Sequence, residues 1–219
     1  MSLASDLSAF RTAFMSKADP QIVAMMGRAD LELAASGLTS KALQAGDIAP
    51  GFELTDTIGG SVDLYERLAH GPVVLSFYRG GWCPYCNLEL KALQAALPRI
   101  EGLGATLIAV SPQLPDESLS TAQKNALSFS VLSDLDSVVA KAFGIAFDLS
   151  EDLRPTYEKF GHGLPKVNGS GWVLPVPATY VIDTDGTIVL AYVDTDYRTR
   201  LEPDAIVSAL EGLLTRTIA

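Results

Sequence analysis

Apolar side chains recur along this chain with two periods, and the change between them marks out its elements. Near the amino terminus Leu3, Leu7, Phe10 and Phe14, then Ile22, Met26, Ala29 and Leu33, repeat at the spacing of an amphipathic helix. Asp19-Pro20 suits an N-cap followed by proline at the first helical position, and Ser36-Gly37 suits an end, so residues 3–36 predict a helical hairpin. Packing of its Met- and Phe-rich face onto the rest of the protein is the plain expectation, and a homodimer contact the sharper one. The short polar stretch 41–47 reads as a boundary, dividing an N-terminal helical extension, 1–43, from a main domain, 44–219.

Beyond it the pattern shortens into runs bounded by turn residues. Phe52-Glu53-Leu54 and Ser61-Val62-Asp63 flank Thr57-Ile58-Gly59-Gly60 as a β-hairpin, and Leu64–Leu68 predicts a short helix. Val73–Phe77, Ala105–Val110 and Phe129–Leu132 read as buried strands, with helices over 88–97, 119–127 and 138–143. This alternation predicts an α/β protein with a parallel-containing sheet and right-handed crossovers. Residues 147–172 break the rhythm with charge, aromatics and glycine, and predict an insertion over the sheet carrying a short helix at 151–160. A strand through Pro175–Asp183, an Asp185-Gly186 turn, a strand at 187–193 and a final amphipathic helix with Ile206, Leu210 and Leu213 complete the chain.

Composition narrows the function. A net charge of −10 over 219 residues argues against nucleic acid or an anionic membrane surface as partner. No apolar run approaches the roughly 20 residues of a spanning helix. The first residues lack a basic start and apolar block, so a soluble, cytoplasmic protein is expected. The only two cysteines, Cys83 and Cys86, are too few for a disulfide framework, which leaves redox or metal chemistry. Zinc needs about four ligands, and the chain's two histidines, His70 and His162, show no paired spacing, so no metal is expected. His70 reads as a surface loop residue. His162 reads as a solvated or satisfied side chain first and as a neighbour of the thiols second.

The cysteines sit where chemistry is easy. Gly80-Gly81 breaks the strand at 73–77 and Pro84 opens a run of helix formers, which places both thiols where a strand hands over to a helix N-terminus. Free backbone N–H groups and the helix dipole favour a thiolate there. Residues three apart share a helix face, so the pair can close a disulfide, with Cys83 the more exposed and Cys86 partly covered. Arg79 can add positive charge or stand solvated on its loop, Trp82 and Tyr85 can form an apolar rim, and Arg200 is a weaker candidate for contact with the site.

Strand, Trp82-Cys83-Pro84-Tyr85-Cys86, helix, then Val176-Pro177-Ala178-Thr179 before a hairpin and a last helix together resemble the thioredoxin superfamily. Gly46–Leu54, Phe77-Tyr78 and Tyr180–Gly186 resemble more narrowly its peroxiredoxin-like, alkyl hydroperoxide reductase/thiol-specific antioxidant branch. The resemblance implies a thioredoxin-like fold, a central mixed sheet flanked by helices, with the hairpin and the insertion before the Pro177 strand as additions. Two subfamilies claim the same cysteines. On the peroxiredoxin pattern Arg79 takes the proline position, Cys83 the hydroxyl position and Cys86 the peroxide-attacking position; on the glutaredoxin pattern Cys83 attacks and Cys86 resolves. The peroxiredoxin register slightly favours Cys86. Pro177 resembles the thioredoxin-type cis-proline, where typical peroxiredoxins carry an arginine, with Val176 beside it. The implied activity is reduction of peroxides through a sulfenic acid and a Cys83–Cys86 disulfide, recharged by thioredoxin or a similar thiol reductant, with no cofactor. The alternatives are a general thiol-disulfide oxidoreductase and a non-catalytic redox-sensing or binding module.

Overall fold

The computed structural model describes residues 2–217 other than Ile58 and Ser170. The hairpin forms as α1 (Leu3–Met15), capped by the Ser2 hydroxyl, and α2 (Pro20–Ala35), capped by Asp19, with α3 (Leu38–Lys41) closing the extension. Strands β1 (Glu53–Asp56) and β2 (Ser61–Asp63) pair antiparallel, and Ile58 of the turn between them lies outside the described residues. Then come α4 (Leu64–Leu68), β3 (Val73–Phe77), α5 (Pro84–Gly102), β4 (Thr106–Ser111), α6 (Pro115–Lys124), β5 (Ser130–Ser133) and α7 (Val138–Ala142). The last part holds β6 (Ala146–Asp148), α8 (Arg154–Lys159), α9 (Leu164–Val167), β7 (Val173–Pro175), β8 (Ala178–Ile182), β9 (Ile188–Val193) and α10 (Pro203–Thr217).

The main sheet runs β2-β1-β5-β4-β3-β8-β9, with β3, β4 and β5 parallel and the remaining pairings antiparallel. Because side chains alternate across a strand, Val73, Leu75 and Phe77 enter one core with Leu64, Leu68 and Phe143. Val74 joins Leu93, Ile100 and Leu210 beneath α5 and α10 on the other face. Burial on both faces explains why these strands read as unbroken apolar runs.

The hairpin packs onto the body: Leu3 and Leu7 are buried in the apolar cluster that holds Cys83, Tyr85 and Cys86. The insertion builds its own small core from Leu149, Leu153, Tyr157, Leu164 and Leu174, against which Met25, Met26 and Ala29 of α2 pack. Hairpin and insertion thus close together over the end of β3. β6 and β7 form a separate two-stranded sheet. Among the described residues no helix is long and apolar enough to cross a membrane.

The structure corrects the cis-proline expectation, since the Val176–Pro177 bond is trans. β7 ends at Pro175, the Val176 N–H donates to the Ile145 carbonyl at 2.9 Å, and β8 begins at Ala178. Pro177 therefore lies in an extended passage between two sheets, where its missing N–H leaves no ladder bond unmade.

Candidate active site

Cys83 is the N-cap of α5 and Pro84 its first residue. Two glycines allow the tight approach. A Cβ on Gly80, whose φ is +147°, would stand 2.4 Å from Trp82 Nε1, and one on Gly81 would stand 2.1 Å from Thr121 Oγ1. The loop is pinned at several points. The Gly81 N–H donates to Gln113 Oε1 (2.8 Å), and Asn87 Nδ2 donates to the carbonyls of Gly81 (2.7 Å) and Cys83 (2.9 Å).

Both thiols are reduced and buried, Cys83 at 2% and Cys86 at 0% exposure. The expected exposure of Cys83 is thus corrected to contact with a half-open chamber. The hairpin, invisible to a local reading of the motif, covers it. This chamber, of about 160 Å³, is lined by Cys83, Pro84, Arg79 and the rings of Trp82, Tyr85, Tyr157, His162 and Tyr197, with Phe10 and Phe14 closing it from α1. The rings lock one another. Phe10 meets Tyr85 edge-on at 5.0 Å, Tyr197 meets Tyr85 at 5.7 Å, and Trp82 meets Tyr157 at 5.6 Å while stacking on His162 at 5.1 Å.

Two arginines supply positive charge. Arg79 is buried, with its guanidinium 4.3 Å from the Tyr197 ring and 5.2 Å from that of Trp82, and it donates from Nη2 to the Tyr157 hydroxyl. Among the described residues it pairs with no carboxylate, and its Nε has no hydrogen-bond partner. The solvated-loop reading of Arg79 is corrected by this aromatic cage. Arg200 is nearer the chemistry than expected: Nη2 donates to Cys86 Sγ at 3.4 Å, while Nε donates to Glu89 Oε2 at 2.5 Å. A hydrogen bond from Cys86 lowers the Cys83 thiol to about 6 against the opposing effect of burial, with further help from Arg79 and Arg200. Burial, with the Cys83 charge beside it, pushes Cys86 well up. Burial also raises Glu89 to about 7 despite Arg200. His162 is held below its ordinary range by burial, so its ring is neutral.

Of the residues singled out from sequence, Arg79, Trp82, Cys83, Pro84, Tyr85 and Cys86 converge. Val176 and Pro177 do not reach the Cys83 chamber. They line a second cleft on the far side of Arg79. Sequence reasoning missed Glu89, Tyr157 and Tyr197, and gave Phe10 and Phe14 no role near the thiols. Among the described residues no three His, Cys, Asp or Glu side chains converge as a metal site.

A thiol pair at a helix N-terminus, beside a parallel β3-β4-β5 core and between two buried arginines, defines a thioredoxin-like thiol oxidoreductase. The chain belongs to the AhpC/TSA family, which it matches over residues 45–191. Peroxiredoxin Bcp of Escherichia coli (strain K12) is 28% identical over 169 residues, 77% of this chain and 96% of that protein. The chloroplastic peroxiredoxin Q of Gentiana triflora is 29% identical over 67% of this chain and 58% of its own. The fold is that of the peroxidoxin BcpB from Mycobacterium tuberculosis, with a TM-score of 0.61 at 24% identity over 78% of this chain and 97% of that one. The chain is a thiol-dependent peroxidase of the peroxiredoxin type.

Proposed function

We propose that Cys83 is the attacking thiol and Cys86 the resolving one, the reverse of the order suggested by the peroxiredoxin register. The observation that carries this reading is access: Cys83 lines a chamber, whereas Cys86 is wholly enclosed. The lowered Cys83 thiol supports it, since the thiolate is the nucleophile. Cys83 Sγ attacks the hydroperoxide, forming an S–O bond as the O–O bond breaks. The departing oxygen leaves as alkoxide or hydroxide and takes a proton, and Cys83 becomes a sulfenic acid. Arg79 steadies the departing oxygen, for which its unpartnered Nε–H is a free donor. Cys86 then attacks the Cys83 sulfur, the disulfide forms, and water leaves. An external dithiol, thioredoxin or a similar thiol protein, returns two electrons and two protons by exchange. Free cysteines suit a reducing compartment such as the cytoplasm.

Trp82, Pro84 and Tyr85 shape the chamber, and Val176 and Pro177 the neighbouring cleft. One observation favours Cys86 as the thiolate, its contact with Arg200. Two serine variants decide the order. Cys86→Ser should accumulate a dimedone-trappable sulfenic acid and Cys83→Ser should form none; sulfenic acid in Cys83→Ser alone overturns the assignment. A thioredoxin-coupled NADPH assay tests the reductant, and turnover only with a small thiol would rule out the protein partner.

A further inference from the structure

The oxygen that departs from a peroxide leaves as hydroxide or alkoxide and needs a proton, which Cys83, already a thiolate, does not have to give. The Cys83 chamber offers three phenols and one imidazole, those of Tyr85, Tyr157, Tyr197 and His162. Tyr157 differs from the others in what its hydroxyl touches. It stands on α8, its ring held among Leu153 and Leu164 of the insertion's core and edge-on to Trp82 at 5.6 Å. Arg79 Nη2 donates to its oxygen. A guanidinium carries no acceptor, so the phenol can only accept in this pair and its own proton stays unshared. Among the described residues no group takes that proton, although a buried tyrosine ordinarily finds its O–H a partner. Tyr197 meets Arg79 with its ring face at 4.3 Å and not with its hydroxyl, and burial holds the phenols of Tyr197 and Tyr85 upward. His162 is neutral, and a neutral imidazole that gives up its proton becomes an imidazolate.

We infer that Tyr157 is the general acid of peroxide reduction, handing its phenolic proton to the oxygen that leaves as Cys83 attacks. The inference rests on Cys83 as the attacking thiol and deepens that reading. Cys83 Sγ bonds to one peroxide oxygen and the O–O bond breaks. The second oxygen takes the bonding pair and the Tyr157 proton and leaves as water or an alcohol. Cys83 is then the sulfenic acid and Tyr157 a phenolate, held by a charge-assisted bond from Arg79 Nη2. Negative charge thus passes from Cys83 to Tyr157, and Arg79, which acts on both, faces an anion before and after. Tyr157 regains its proton from water through the half-open chamber. A phenol is a far stronger acid than water or an alcohol and a far weaker one than a carboxylic acid. Its proton therefore matters for hydrogen peroxide and hardly at all for a peracid, whose leaving group is a carboxylate.

Tyr157→Phe keeps the ring and removes only the hydroxyl. In stopped-flow tryptophan fluorescence of the reduced full-length protein, hydrogen peroxide should oxidise this variant about 100-fold more slowly than the wild type, the low end of what a general acid supplies. With peracetic acid the two should agree within about threefold. Alkylation of Cys83 by iodoacetamide, in which iodide leaves without a proton, should keep its rate and its pH inflection, which reports an intact thiolate and fold. A check without any variant uses heavy water, which should slow wild-type oxidation by hydrogen peroxide more than oxidation by peracetic acid. Equal slowing of both oxidants in Tyr157→Phe would mean that Tyr157 only holds Arg79 in place. That result, unchanged rates with both oxidants, or an equal effect of heavy water on both would overturn the inference. Two other results sink the reading beneath it instead: wild-type oxidation no faster than that of free cysteine, or Cys83→Ser oxidised as fast as the wild type.

Discussion

The Cys83 thiol is tuned by two residues close to it in sequence, Cys86 and Arg79, and by one distant residue, Arg200. Lowered to about 6 first by the Cys86 hydrogen bond and then by Arg79 and Arg200, it is mostly thiolate at pH 7. The rate of oxidation by peroxide should therefore climb about tenfold per pH unit below 6 and level off above it. Arg79→Met keeps the length of the side chain and removes its charge. That inflection should move upward by about one unit or more, as expected for loss of a nearby cation; an unmoved inflection in stopped-flow traces would show that Arg79 does not act on the thiol. The cysteine pair and Arg79 were legible because they fall within eight residues of one loop. Glu89 was not, because a glutamate within a helical run ordinarily faces water. Only Arg200, 111 residues on, makes its burial tolerable.

At the scale of elements, the Glu89–Arg200 bond fastens the loop before α10 to the first turns of α5. Burial raises the folded-state Glu89 carboxyl from 4.5 to about 7. The folded form then binds this proton more tightly than the unfolded form. Its contribution to stability is complete below about 4.5 and is lost as pH rises through about 7. Thermal melts of Glu89→Gln should lack that decline, and a difference profile flat across this window would refute the assignment. The hairpin makes a second element-scale case. Its helical periodicity showed that α1 and α2 would form, but the surface they cover was not readable, because a periodic apolar face names no partner. Leu7, at 5% exposure, shares a cluster with both cysteines. Leu7→Ala should cost roughly 3 kcal/mol by cavity formation and speed alkylation of Cys83 by iodoacetamide. Unchanged alkylation would mean that α1 does not guard the thiol.

Over the whole molecule, oxidation removes a charge from a buried region. Once Cys83 and Cys86 are joined, Arg79 remains buried with no carboxylate partner among the described residues. Losing the partner of a buried charge costs up to about 3–5 kcal/mol, of which the ring cage around Arg79 and its bond to Tyr157 recover a part, whereas closing so short a disulfide loop stabilises by about 2 kcal/mol on the chain-entropy relation. The cation wins. The oxidised protein should melt a few degrees below the reduced one and be cut faster in the hairpin by trypsin, and a higher melting temperature on oxidation would contradict this balance. The sequence alone determined the α/β alternation, the redox pair at a helix mouth and the family likeness, because each is written in local periodicity or in residues a few positions apart. Tertiary structure decided the trans passage at Pro177, the burial of both thiols, the pairing of Arg200 with Glu89 and the roof of rings over Cys83. Each of these depends on segments far apart in the chain meeting in space, and burial and charge pairing act through distance in space rather than along the backbone.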